Sequence, residues 1–176
     1  LPGGGWIGVT ASSSHSVAWQ RHGALWTWGD NYHAQLGIGY RSKQSSPVQV
    51  PGSWIQAAAG FKHVIALKNN GTLWSWGRND EGQRGDSSHQ LALQPVQISQ
   101  NDNWTHVAAG SMHSLGLRDG NLWSWGGNDN GELGDGTSNK LLLPIRIDNA
   151  RWQKISAGLH HSTAIRRDGS LWAWGR

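Results

Sequence analysis

Tryptophan recurs in this chain at nearly fixed intervals, and no other feature restricts its folding so severely. Trp6, Trp54, Trp104 and Trp152 are spaced 48, 50 and 48 residues apart, and His15, His63, His113 and His161 keep the same spacing. The pairs Trp26/Trp28, Trp74/Trp76, Trp123/Trp125 and Trp172/Trp174 follow at 48, 49 and 49, with Pro47, Pro95 and Pro144 at 48 and 49. Twelve of the 13 Trp obey this register; Trp19 alone departs, standing where the other copies carry Leu67, Leu117 and Ile165. Periods of this length mark propellers or solenoids, whose units bury their faces only against one another. The units read as residues 6–53, 54–103 and 104–151, then an incomplete fourth at 152–176, after a linker or processed end at 1–5. The fourth stops at Trp174-Gly175-Arg176, inside a motif complete three times before, which reads as a fragment of a longer array.

Each unit divides into four short strands. The first runs from Trp into small residues, as in Ala57-Ala58-Ala59-Gly60, and the second alternates in size, as in His63-Val64-Ile65-Ala66-Leu67. His22-Gly23, Asn70-Gly71, Asp119-Gly120 and Asp168-Gly169 then predict two-residue hairpins, whose tight turns need positive φ. Leu-Trp-x-Trp-Gly makes the third strand, with both indoles on one face. After a Gly-rich loop a fourth strand starts at proline, as in Pro95-Val96-Gln97-Ile98; proline has no amide donor and suits an outer edge. A meander apolar on both faces must be sandwiched between copies of itself. Small residues on the first strand fit convergence at an axis, and indoles on the third fill the wider gap outside it. The expected fold is all-β, a β-propeller of four-stranded antiparallel blades with about three and a half repeats present. A solenoid of similar period is the alternative.

Composition removes whole classes of chemistry. With no Cys there is no disulfide frame, thiolate metal site or thiol catalysis. No apolar run approaches the roughly 18 residues of a membrane helix, so no membrane role is expected. The net charge is +4 with basic groups scattered, which argues against nucleic acid, since that needs a clustered patch. No targeting segment is visible, which leaves bacterial cytoplasm and secretion both open.

One string carries a resemblance. Ala108-Ala109-Gly110-Ser111-Met112-His113-Ser114-Leu115 leads to Asp119-Gly120-Asn121-Leu122-Trp123-Ser124-Trp125-Gly126, then through Asn128 to Gly131-Glu132-Leu133-Gly134. It resembles the regulator of chromosome condensation repeat family in a tryptophan-rich, bacterial-looking form. The departures are local: Ser12 replaces the Gly of Gly60, Gly110 and Gly158, Ala34 a loop Gly, and Arg84 a loop Leu. The resemblance implies a ring of seven blades, so this chain alone leaves an apolar blade face open. A longer protein, a pair of chains completing about seven blades, or a small four-bladed ring would each cover it. The family's founding activity is guanine-nucleotide exchange on a Ran-type GTPase, which the resemblance ties to a blade insertion and a basic tail. Units held at 48–50 residues leave no room for the insertion, and no basic tail is present.

Repetition also decides how candidate sites are read. His15, His63, His113 and His161 occupy one position in every unit, as do Trp26, Trp28, Trp74, Trp76, Trp123, Trp125, Trp172 and Trp174. That is the pattern of structural residues, with a His satisfied by backbone groups. No metal, cofactor or catalytic residue is implied, because ligands must converge and catalysis needs one unique constellation. Asp129-Asn130-Gly131-Glu132 lacks the alternating acids of a calcium loop. The informative positions vary while the frame repeats. A two-residue slot before each His holds Ser13-Ser14, Phe61-Lys62, Ser111-Met112 and Leu159-His160. In a meander this turn and the loop after Trp-x-Trp-Gly emerge on one face. Phe61, Lys62, Met112, Leu159, His160, Tyr32, Arg78, Asp80 and Glu81 are therefore the candidate partner-binding residues. Photoreceptor members of the family carry Trp in the slot; with Ser13, Phe61, Ser111 and Leu159 there instead, the Trp residues here are core and photosensing is not expected. The expected function is non-catalytic: a protein-interaction module that binds a protein partner, or a second copy of itself, through the loop face. Nucleotide exchange on a small GTPase and a propeller fragment whose main property is assembly are the alternatives.

Overall fold

The computed structural model describes residues 3–99 and 103–176. Its 15 strands form four sheets, each an antiparallel meander in chain order. The first sheet holds β1 (Trp6–Ala11), β2 (His15–Gln20), β3 (Leu25–Gly29) and β4 (Gln44–Val50). The second holds β5 (Trp54–Ala59), β6 (His63–Lys68), β7 (Leu73–Gly77) and β8 (Ala92–Gln97). The third holds β9 (Trp104–Ala109), β10 (His113–Arg118), β11 (Asn121–Gly126) and β12 (Leu141–Arg146). The fourth has three strands, β13 (Trp152–Ala157), β14 (His161–Arg166) and β15 (Leu171–Gly175). The first strands β1, β5, β9 and β13 lie beside one another along the axis, and the proline strands β4, β8 and β12 lie outermost. Among the described residues no helix is long and apolar enough to cross a membrane.

The second strands of the two middle blades are pressed between neighbours on both faces, so β6 and β10 are buried along most of their length. Three apolar clusters fill the junctions, each built around the first Trp of a blade: Trp54, Trp104 and Trp152. Both indoles of the third strand turn toward that Trp. The ring centroids of Trp74 and Trp76 lie 6.1 and 5.7 Å from Trp54, edge to face, and Trp123 and Trp125 repeat this on Trp104 at 5.9 and 6.0 Å. Each burial of this kind is worth on the order of 5 kcal/mol of transferred apolar area. The irregular Trp19 has its own accommodation: a Cβ on Gly8 would come within 2.0 Å of its ring, so glycine across the strand pair makes the room.

The hairpins differ from the two-residue expectation in three blades of four. Only Asp119-Gly120 joins its strands directly, with φ of 52° and 74° as a primed turn requires. Elsewhere the loop is longer and only its Gly is left-handed (Gly23, Gly71 and Gly169). It is closed by bonds such as Lys68 N–H to the Thr72 carbonyl at 3.1 Å. The extra residues put side chains before and after the Gly, and these cap the turn, as Thr72 Oγ1 does by donating to Asn70 at 2.7 Å.

Candidate functional site

The slot turns gather around the mouth of the axis. Phe61 N–H donates to the Ser111 carbonyl and Ser111 N–H to the Leu159 carbonyl, both at 3.3 Å, and Ser12 Oγ reaches the Phe61 carbonyl at 3.4 Å. This belt of inter-blade bonds rims a shallow hollow of about 170 Å³ floored by Gly60, Gly110 and Gly158. Phe61 and Leu159 stand at its edge, 36% and 61% exposed. Glycine is required at the floor because a Cβ there would meet the ring of the following His at 2.1–2.2 Å.

In the second, third and fourth blades the second slot residue reaches back to the long loop of the blade before. Lys62 Nζ pairs with Asp30 at 3.2 Å and with Ser14 Oγ at 3.3 Å, while also covering the Phe61 ring. Met112 Sδ accepts from Gln83 Nε2 at 3.5 Å, and His160 Nδ1 lies 3.5 Å from the Glu132 carboxylate. Slot and long loop therefore share one face, but Lys62, Met112 and His160 serve as ties between blades, which differs from variation free of packing. Tyr32 is well exposed, with the Arg41 guanidinium 4.7 Å from its ring centroid. Arg78 pairs with Asp80 at 2.7 Å, and Glu81 with Lys140 at 3.3 Å. Of the nine candidates, Phe61, Leu159 and Tyr32 offer apolar surface.

Beneath the face, His63 and His113 add a side-chain contact to the next blade, beyond the backbone bridge expected of them, which His113 keeps at His161. His63 Nε2 is 2.9 Å from Ser114 Oγ of the next blade, and His113 Nε2 is 2.9 Å from Ser162 Oγ. Each serine donates onward to a loop carbonyl, Gln83 at 2.7 Å and Glu132 at 2.8 Å, so its oxygen is left to accept from the imidazole N–H. It is burial that keeps these two imidazoles neutral. Burial holds His63 down at a pKa of about 3 and His113 at about 4. At the first junction Val64 occupies the serine position. Both ring nitrogens of His15 are buried without a partner, and its pKa falls to about 4 through burial and then the nearby Lys62 charge.

Position 84 shows a second irregularity. Leu36 and Leu133 are wholly buried at this loop position, whereas Arg84 is buried there as an ion pair with Asp86, and Ser88 Oγ accepts from it at 2.7 Å. Its Nε and Nη1 are left without partners. The loop is otherwise held by a buried Asn, the residue that the repeat motif carries at Asn128. Asn31, Asn79 and Asn128 accept at Oδ1 from the amides of Leu36, Arg84 and Leu133 at 3.0, 2.7 and 2.9 Å. Their recurrence at 48 and 49 residues was the signal available. The acidic groups around Asp129 work locally: Glu132 accepts from Asn130, and Asp135 from Thr137 and Asn128.

Among curated proteins, none matches the chain. Solved structures do. Human WBSCR16 superposes with a TM-score of 0.86 at 23% identity, over 97% of this chain and 47% of its own. Yeast RCC1 (Prp20), in its complex with Kap60, gives 0.85 at 28% identity over 97% and 43%. Prp20p of Saccharomyces cerevisiae, studied with its binding to Gsp1p and histones, gives 0.85 at 27% identity over 97% and 45%. The chain thus spans less than half the length of these relatives. The regulator of chromosome condensation (RCC1) repeat profile matches residues 22–67, 70–117 and 119–165, a phase in which each repeat takes two strands from one blade and two from the next. A related profile of the same description matches 54–83 and 104–132. With those matches spanning most of its length, this chain belongs to the regulator of chromosome condensation (RCC1) repeat family.

Proposed function

We propose that this chain is a protein-binding module that reads its partner with the slot tips and performs no chemistry of its own. The observation that carries this reading is the exposed pair Phe61 and Leu159, held at fixed spacing by the belt of inter-blade bonds around the mouth. Apolar groups on a rigid frame lose little entropy on binding, which is how a few residues come to dominate an interface. The two yeast relatives are described with protein partners, Kap60 in one case and Gsp1p and histones in the other. The test is affinity capture with the wild-type chain beside a Phe61→Ser, Leu159→Ser variant of equal stability. Proteins retained by the first and lost from the second support the reading; an identical set on both sinks it.

Nucleotide exchange on a small GTPase is the second reading, and the 27–28% identity to Prp20p favours it. Accelerated release of labelled GDP from a Ran-type GTPase would establish it, and an unchanged rate would leave binding alone. Self-association belongs to the first reading. Val9 on β1 and Leu171 on β15, each 71% exposed, flank the two ends of the blade series. Two copies joined end to end would cover both. Light scattering over a range of concentrations decides it, a mass near twice 19.2 kDa being the expected result.

A further inference from the structure

The outer wall of the propeller, away from the slot tips, repeats a second constellation. In three blades a cation from the second strand lies over the indoles of its own blade: Lys68 Nζ is 3.5 Å from the Trp74 centroid, Arg118 4.0 Å from Trp123, and Arg166 4.0 Å from Trp172. At the junction of the third and fourth blades the preceding blade supplies a counter-charge. Asp148, four residues after the proline of β12, places one oxygen 3.2 Å from Arg166 Nη2 and accepts from Trp152 Nε1 at 2.9 Å with the other. At the junction of the first and second blades the position four residues after the proline is Pro51. Among the described residues no carboxylate lies within 4.0 Å of Lys68 Nζ there.

A groove opens at that place. It holds about 400 Å³, lined by Lys68, Trp74, Tyr40, Gln49, Pro51 and Gln94 among others, with no acidic residue on its wall. That volume suits one small molecule, with apolar and aromatic walls, two amides for orientation and one cation. Partial burial lowers the pKa of Lys68, the direction expected of an ammonium that loses some of its water without gaining a counter-ion.

We propose that this groove binds a small carboxylic acid with an apolar body, its carboxylate meeting Lys68 where Asp148 meets Arg166 in the later junction. The body lies along Trp74 and Tyr40. The chain itself thus presents the cation in two settings, paired with an internal carboxylate at one junction and without one at another.

The test is a titration of the 15N-labelled chain with 4-phenylbutyrate, following the indole N–H of Trp74, beside 4-phenylbutyramide, which has the same body without the charge. The expected result is a saturable shift with a Kd below about 5 mM for the acid and binding at least ~10-fold weaker for the amide. Lys68→Met should weaken the acid at least ~10-fold, and Pro51→Asp, which supplies the carboxylate from within, should do the same while leaving the fold intact. Equal binding of acid and amide, undiminished binding to Pro51→Asp, or no saturable shift by about 10 mM would each overturn the assignment. So would a response confined to a peptide ending in a free carboxylate, such as N-acetyl-Val-Leu.

Discussion

Val64→Ser should repair the one junction where the histidine relay is broken, and the repair can be read as a change of sign. Val64 is wholly buried and stands where Ser114 and Ser162 join the imidazole of one blade to a loop carbonyl. Cutting Val64 to Ala removes two methyl groups, about 0.8 kcal/mol each by transfer, and with the cavity term the loss is about 2–3 kcal/mol. Ser differs from Ala by one hydroxyl. In an ordinary core that hydroxyl costs a further 1–3 kcal/mol or so, because nothing receives it. Here the Gln35 carbonyl, which already accepts from Trp76 Nε1 at 2.9 Å, stands where Gln83 accepts from both Trp125 and Ser114. His15 Nε2 lies across from it without a partner. Satisfying these groups should make Val64→Ser more stable than Val64→Ala by about 1–2 kcal/mol. Urea unfolding at pH 7 measures both, and in a His15→Ala background the advantage should shrink by about 1 kcal/mol. Ser12 occupies the floor position that glycine holds beside the other His rings, so Ser12→Gly with Val64→Ser completes the repeat and should add to the gain. A Val64→Ser protein less stable than Val64→Ala would refute the relay as a source of stability.

Three further outcomes follow from the same packing. Trp125→Ala removes a fully buried indole and its bond to Gln83, and should lower stability by about 3–5 kcal/mol; an unchanged melting curve would mean the indole faces are misread. Arg84→Leu restores the residue found at Leu36 and Leu133 and removes two unpartnered nitrogens, so it should be neutral or stabilising by about 1–4 kcal/mol, whereas Asp86→Ala strands the buried guanidinium and should cost about 3 kcal/mol. If Arg84→Leu instead loses several kcal/mol in calorimetry, the ion pair is holding the loop. His15, His63 and His113 have folded pKa values of about 4, 3 and 4, below the ordinary 6.5. Their neutral-state stability is complete above about pH 6.5 and is lost as pH falls toward those values, at up to about 3 kcal/mol for His15 and His113 and about 5 for His63. Urea midpoints that stay level from pH 7 to 4.5 would contradict this.

The frame was legible in the sequence because it repeats: the Trp, His and Pro registers locate the strands, their stacking and the outer edge. What escaped was whatever one copy does differently or whatever depends on the neighbour. The hairpin lengths turn on a single residue between Asn70-Gly71 and Asp119-Gly120, and the dipeptides look alike. The partner of His63 is Ser114, fifty-one residues on, and nothing local points to it. Lys62, Met112 and His160 vary like free surface, yet each variant finds a different tie to the preceding loop: an ion pair, a thioether contact and an imidazole–carboxylate approach. Variation between copies therefore reflects paired substitution across a junction as well as freedom from packing. The groove beside Lys68 was invisible for the same reason, since its lack of an acidic wall depends on Pro51 standing where Asp148 stands at a later junction.

The ties between blades also fix a length scale for folding. His63 to Ser114, Trp76 to Gln35 and Trp125 to Gln83 join residues 51, 41 and 42 apart, and every one ends in the adjacent blade. Loop closure grows only with the logarithm of loop length, and each of these closures spans about one period, so the junctions among these blades all cost about the same. The slow step is then the first junction to close, after which its neighbours zip outward in either direction. These blades can therefore order one after another, each joining the one before it through contacts about one period apart.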